Sequence, residues 1–224
     1  MKGKIIVIEG TDCSGKQTQA ENLERRLRES GHKVTTVGFP IYTSPTGKII
    51  GGPYLGKKSI CEGFFDEGAA AVNPKVSSLY FAADRLYNSD IIRNLVDEGF
   101  LVILDRYVYS NMGHQGGKMT TRYEREAMYR WIETLEFDLC DLPVPDIKIF
   151  LHMPYENSLD LKKNREELDQ HEIDEDHLRN AENAYLEISE IYNFHTIPCV
   201  DEKIKSVNQI SDEVFKYVTN RLHS

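Results

Sequence analysis

Residues 5–16 read Ile-Ile-Val-Ile-Glu-Gly-Thr-Asp-Cys-Ser-Gly-Lys, an apolar, strand-like stretch that runs straight into G-x-x-x-x-G-K, and a helical pattern follows. This order of strand, glycine loop and helix constrains the chain more than any other feature, because it fits an α/β architecture built around a polyanion. Gly10 and Gly15 let the backbone wrap a phosphate with its N–H groups turned inward, and the helix adds its positive end. Lys16 supplies a mobile charge for the outer phosphates. The expected phosphate-binding set is Gly10, Asp12, Cys13, Ser14, Gly15, Lys16, Gln17 and Thr18. One position departs from the pattern. A Ser or Thr hydroxyl normally follows the lysine and ligates Mg2+, whereas here Gln17 comes first and Thr18 after it.

A length of 224 residues, 40% hydrophobic and 28% charged, suits a single domain over 1–224 with a substantial core, which excludes a disordered or fibrous chain. The net charge of -9 argues against a surface that coats nucleic acid, since such binding needs a basic footprint. The apolar runs are too short to span a bilayer, and a cytoplasmic location without membrane contact is expected. Cys13, Cys61, Cys140 and Cys199 form no C-x-x-C pair, so neither a zinc knuckle nor a disulfide framework is indicated.

Strand-like runs recur at 4–8, 33–38, 101–104, 147–152 and 196–200. Helical patterns lie between them at 18–30, 76–98, 122–137, 157–167, 176–192 and 207–222. The alternation predicts a parallel sheet covered on both faces, with ligands at the carboxyl edge of the strands. Two segments read as mobile: 43–56, which is rich in glycine, and a charged run at 162–176.

Four further groups of residues carry chemistry. The strand 101–104 ends in Asp105-Arg106-Tyr107, placing a carboxylate suited to Mg2+ and a guanidinium suited to a second phosphate at the sheet edge. In Phe81-Ala82-Ala83-Asp84-Arg85, helical spacing puts Phe81 and Arg85 on one face, an aromatic plane and a forked donor for a nucleobase. Asp84 reads as a buttress for an arginine. Phe39-Pro40 makes a rigid turn that delivers Tyr42 toward the same edge, and in the stretch 110–116, with Ser110, Asn111 and His114, the amides of Asn111 and Gln115 offer a base both donor and acceptor, against a competing helix-cap role. In Lys162-Lys163-Asn164-Arg165, the reading of a lid that closes Lys163 or Arg165 onto a transferring phosphoryl group competes with an ordinary solvated charge run.

With these residues in view, the chain resembles the thymidylate kinase family of nucleoside-monophosphate kinases over nearly its whole length. The segments that carry the likeness are I-E-G-T-D-C-S-G-K-Q-T-Q from Ile8, F-P from Phe39, T-G-K-I-I from Thr46, F-A-A-D-R from Phe81 and L-D-R-Y-V-Y-S-N from Leu104. The resemblance implies a five-stranded parallel P-loop fold with flanking helices and a lid near 162–176. It implies phosphorylation of dTMP to dTDP by in-line transfer from ATP, with Mg2+ bridging the nucleotides and a homodimer as the assembly. It further implies that Phe81 stacks on thymine, Arg85 reads a base carbonyl and Asn111 meets the other edge. Arg106 would grip the acceptor phosphate with Tyr42 nearby, Asp12 would lie near sugar and metal together with Asp105, and Arg165 would act from the lid.

Four departures stand against that pattern. Gln17 replaces Ser or Thr, Cys13 replaces Gly or Arg, His114 replaces a Tyr associated with excluding a 2′-hydroxyl, and Asn180 and Glu182 stand where basic residues are common. Two other readings remain open at this point: a deoxynucleoside kinase acting on a 5′-hydroxyl, and a nucleotide-binding protein with weak turnover.

Overall fold

A computed structural model describes residues 2–162 and 175–222. Five strands form one parallel sheet: β1 (Lys4–Gly10), β2 (Val34–Gly38), β3 (Leu101–Asp105), β4 (Ile147–His152) and β5 (His195–Pro198), in the order β2-β3-β1-β4-β5. The chain leaves β1 for β2 on one side of the sheet and leaves β3 for β4 on the other. Adjacent β1 and β3 therefore open a crevice at their carboxyl ends, the switch point at which such sheets bind ligands. Ile8 pairs in register with Asp105, so the glycine loop and the Asp105-Arg106 turn emerge side by side.

Both faces of β1 are buried, which is why its stretch Ile5-Ile6-Val7-Ile8 is continuously apolar rather than alternating. Ile6 and Ile8 pack with Leu23 and Leu27 of α1 (Lys16–Glu29) and with Ile210 and Val214 of α9 (Val207–Leu222). Ile5 and Val7 face the other way, into a cluster with Ile92, Val108, Met112, Met128 and Ile188. Burying each such aliphatic side chain contributes about 1.5–3 kcal/mol.

The predicted helix over 76–98 is two helices, α3 (Pro74–Tyr87) and α4 (Ser89–Asp97), divided at Asn88. The Asn88 side chain donates to the Asp84 carbonyl at 2.7 Å and to Asp84 Oδ1 at 3.1 Å, one of the local bonds by which asparagine competes with helix geometry. Segment 43–56 also differs from its reading as a mobile loop. It forms α2 (Pro45–Ile49) and a π-helical turn (Ile50–Tyr54), and a Cβ at Gly47 would lie 1.9 Å from the Ile41 carbonyl oxygen. That glycine serves close packing. Helices α5 (Val108–Gly116), α6 (Arg122–Glu133), α7 (Tyr155–Lys162) and α8 (Glu175–Ile191) complete the described chain, with a second π-helical turn at Thr134–Leu139 after α6. Helix α5 carries Ser110, Asn111 and His114 where the sequence pattern predicts no helix. The proposed lid, with Lys163 and Arg165, lies outside the described residues apart from its ends.

Candidate active site

The loop after β1 is built as its glycines require. A Cβ on Gly10 would lie 2.5 Å from Ser14 Oγ and 2.7 Å from the Leu151 carbonyl, and Gly15 adopts φ 76. The Ser14 hydroxyl donates to the Thr11 carbonyl at 2.8 Å, and Thr11 Oγ1 exchanges bonds with Met153 on β4's exit, at 2.6 and 2.8 Å. Gly15 caps α1 without any side-chain acceptor, so the helix presents its opening N–H groups to the loop. The buried Lys16 ammonium donates to the Gly10 and Thr11 carbonyls at 2.9 and 2.8 Å. Burial, reinforced by nearby Arg106, lowers the Lys16 pKa to about 8, while Asp12, Asp105 and Glu9 oppose the shift. Gln17 and Thr18 are exposed, and the Gln17 amide donates to Glu21 at 3.0 Å.

Beside this loop lies a cleft lined by Asp12, Phe39, Pro40, Tyr42, Phe81, Arg85, Arg106, Ser110, Asn111 and His114. Every residue expected to hold the acceptor is therefore in one place. Asp105 is half-buried and is not part of that lining; its Oδ1 is buried with no hydrogen-bond partner among the described residues. Burial raises the Asp105 pKa, with Glu21 adding to the shift and Arg106 and Lys16 opposing it. Arg106 leaves β3 at φ 66 and lies 3.8 Å from Asp12 Oδ1 through Nη2, and 3.4 Å from His114 Nε2 through Nη1. Burial disfavours its charge, but Tyr185, Asp12, Glu9 and Asp105 outweigh that and hold its pKa above the ordinary value.

The expectation that Asp84 buttresses an arginine is corrected by the structure. Asp84 accepts from the Ile41 amide and from the Ser44 and Thr46 hydroxyls at 2.7–3.0 Å, so it fixes the 41–46 segment that carries Tyr42 into the cleft. Arg85 is held instead by Glu136 of the second π-helical turn, with both side chains buried; Nε and Nη2 make the pair, and Nη1 takes no part in it. Asn111 donates to the same Glu136 at 2.9 Å.

Three lining residues were not singled out from the sequence: Tyr54, Leu55 and Lys118. Gln115 Oε1 and Asn111 Oδ1 are buried acceptors with no donor among the described residues. Lys118 donates to the Ala69 and Val72 carbonyls at 3.4 and 3.1 Å, and burial lowers its pKa to about 8. The helical i, i+4 spacing of Asn111 and Gln115 was available as a signal. Tyr54 and Leu55 carried none, because an intervening segment brings them there.

Glu182, noted as an acidic departure, has a structural task. It accepts from His152 Nε2 at 2.6 Å and from the Tyr155 amide at 2.9 Å, and so closes the start of α7.

The family model described as thymidylate kinase matches residues 8–210. A thymidylate kinase of Prochlorococcus marinus strain NATL2A is 32% identical over 223 residues, covering 99% of this chain and 100% of that protein. The human thymidylate kinase is 29% identical over 157 residues, 68% of this chain and 62% of that one. Among solved structures, thymidylate kinase from Candida albicans superposes with a TM-score of 0.74 at 25% identity, covering 100% of this chain and 94% of that chain.

Proposed function

The chain belongs to the thymidylate kinase family, and from that premise we propose how its own residues divide the work between two nucleotides. It phosphorylates dTMP to dTDP with ATP as the phosphoryl donor. In our reading the loop 10–15 and Lys16 hold the ATP phosphates, and the adjoining cleft holds dTMP. One observation carries the division: Ile8 of β1 pairs in register with Asp105 of β3, so the glycine loop that leads to Lys16 and the turn that carries Arg106 leave the sheet side by side, with Arg106 lining the adjoining cleft. Two cations on neighbouring loops favour a polyanion that enters between them. A phosphoryl group in transit is such an anion.

Phe81 offers a face for thymine and Arg85 a donor for its carbonyl, held rigid by Glu136. The unpartnered oxygens of Asn111 and Gln115 suit the N–H of a pyrimidine, since a buried acceptor left without a donor is costly. Arg106, with Tyr42 nearby, takes the 5′-phosphate, Phe39 and Pro40 wall the cleft, and Ser110 and His114 stand beside the guanidinium.

An oxygen of the dTMP phosphate attacks the γ-phosphorus in line. The new bond forms as the bond from that phosphorus to the β–γ bridging oxygen breaks, and ADP departs. The attacking oxygen is already ionised, so no general base is required and His114 has no proton to remove. Asp12 and Asp105, whose buried Oδ1 has no hydrogen-bond partner among the described residues, would provide the hard oxygen donors that suit Mg2+. Bound there, the ion would supply positive charge for the phosphate oxygens.

We further propose a homodimer in the cytoplasm. The solvent face of α3 carries Val76, Leu79 and Leu86 at 40%, 50% and 46% exposure with Ala83 between them, an apolar stripe suited to a second copy. The cysteines are free thiols, as suits a reducing compartment. No helix among the described residues is long and apolar enough to cross a membrane.

The test is ADP release measured across nucleoside monophosphates and nucleosides. Fast turnover with dTMP and none with thymidine is expected; the reverse order would place a 5′-hydroxyl, not a phosphate, at Arg106.

A further inference from the structure

Glu9 is a charged residue inside an apolar strand, only 1% exposed. The period of a strand puts it on the face of Ile5 and Val7, toward the start of α5. There its Oε1 accepts from the backbone amides of Tyr107 at 2.7 Å and Ser110 at 3.0 Å, and its Oε2 accepts from the Ser110 hydroxyl at 2.5 Å. Tyr107, the residue that caps α5, supplies no side-chain acceptor of its own. A carboxylate from a neighbouring strand fills that role.

The residue fixed by this arrangement is Arg106. Its φ of 66 is a left-handed backbone that a non-glycine residue keeps only when its surroundings impose it. The peptide is pinned on both sides, by the Arg106 amide on the Ile8 carbonyl at 3.3 Å and by the Tyr107 amide on Glu9. The Ser110 hydroxyl that donates to Glu9 lies 3.5 Å from Arg106 Nη1 and accepts from the Tyr185 hydroxyl at 3.2 Å. Glu9 also acts electrostatically on both cations of the site, favouring the charged forms of Lys16 and Arg106.

We propose that Glu9 is a positioning residue for the phosphoryl transfer: it locks the left-handed turn at Arg106 and, through the Ser110 hydroxyl, sets the guanidinium that receives the acceptor phosphate. The proposal rests on the reading of Arg106 given above. It makes one buried carboxylate, a single step before Gly10, the link between the donor loop and the acceptor cleft.

The experiment is steady-state kinetics of Glu9→Gln, Ser110→Ala, Arg106→Ala and the Glu9→Gln/Arg106→Ala double variant. Glu9→Gln and Ser110→Ala are expected to raise KM for dTMP about tenfold or more while leaving KM for ATP within about twofold. In the Arg106→Ala background, Glu9→Gln should add nothing further to the dTMP defect, because its effect runs through the missing guanidinium. A role confined to holding α5 would instead lower the melting temperature and weaken both substrates alike, and that result overturns the proposal. If Arg106→Ala raises KM for dTMP and neither Glu9→Gln nor Ser110→Ala does, the positioning role fails and the acceptor site stands. If Arg106→Ala leaves KM for dTMP unchanged, the reading of the acceptor site itself is wrong. Ser110→Ala keeps every backbone bond to Glu9, so it decides the matter should Glu9→Gln not fold.

Discussion

Arg106 and Lys16 are the residues on which the proposed chemistry turns, and their surroundings give each a different behaviour. Arg106 stays charged, so its removal should act on the acceptor: Arg106→Ala is expected to lower turnover with dTMP by about a hundredfold or more while ATP affinity changes little. Equal losses for the two substrates would remove Arg106 from the acceptor site. Lys16 behaves as a titratable donor with a pKa of about 8 before substrate arrives. Bound phosphates favour the ammonium form and raise that pKa. ATP affinity should therefore be full below pH about 8 and decline as the pH climbs above it, with protons taken up on binding in that window. Calorimetry in buffers of different ionisation enthalpy reads the uptake; ATP binding without a buffer-dependent heat near pH 8.5, or about there, would contradict it. The positions of these residues at the carboxyl edge of the sheet were legible from the glycine loop and the Asp-Arg step. The left-handed turn at Arg106 was not, because nothing in a single arginine codes φ 66.

The elements differ in how openly they are written. β1, α1 and α9 follow from periodicity, since each buries an apolar face that local spacing displays. Helices α3 and α4 were fused in the sequence because their apolar pattern continues through Asn88; the break depends on that residue's own side-chain bonds to Asp84. The helical pattern over 122–137 likewise merges α6 with the π-helical turn Thr134–Leu139, which delivers Glu136 to Arg85 of α3 across 51 positions. Removing one partner of a fully buried pair leaves the other charge uncompensated. Glu136→Ala should therefore destabilise the protein by about 3–5 kcal/mol. In a chain of this size each kcal/mol lowers the melting temperature by about 2–4 °C, so calorimetry should show a large drop. A wild-type melting temperature would mean that Arg85 finds solvent or another anion.

In the whole molecule, sheet order brings the site together. Because β1 and β3 are neighbours and their onward connections diverge, the glycine loop and Arg106 share one crevice. The apolar stripe on α3 lies on the helix that also bears Phe81 and Arg85, so a second copy docked there would brace the base end of the cleft. Leu79→Glu is expected to give a monomer in sedimentation at micromolar protein; an unchanged assembly would move the interface elsewhere. The order of residues by itself determined that this chain folds as an α/β P-loop protein, where its glycine loop meets the first helix, and that its cleft pairs an aromatic ring with arginines. Such signals lie in near neighbours, in turn chemistry and in side-chain periods. Only the tertiary structure decided that Glu136 restrains Arg85, that Asp84 pins the Tyr42 segment, and that Glu9 reaches Ser110 across 101 positions. A buried polar group must find a partner somewhere, but which one it finds depends on strand order and helix docking, and neither is encoded in any short stretch of chain.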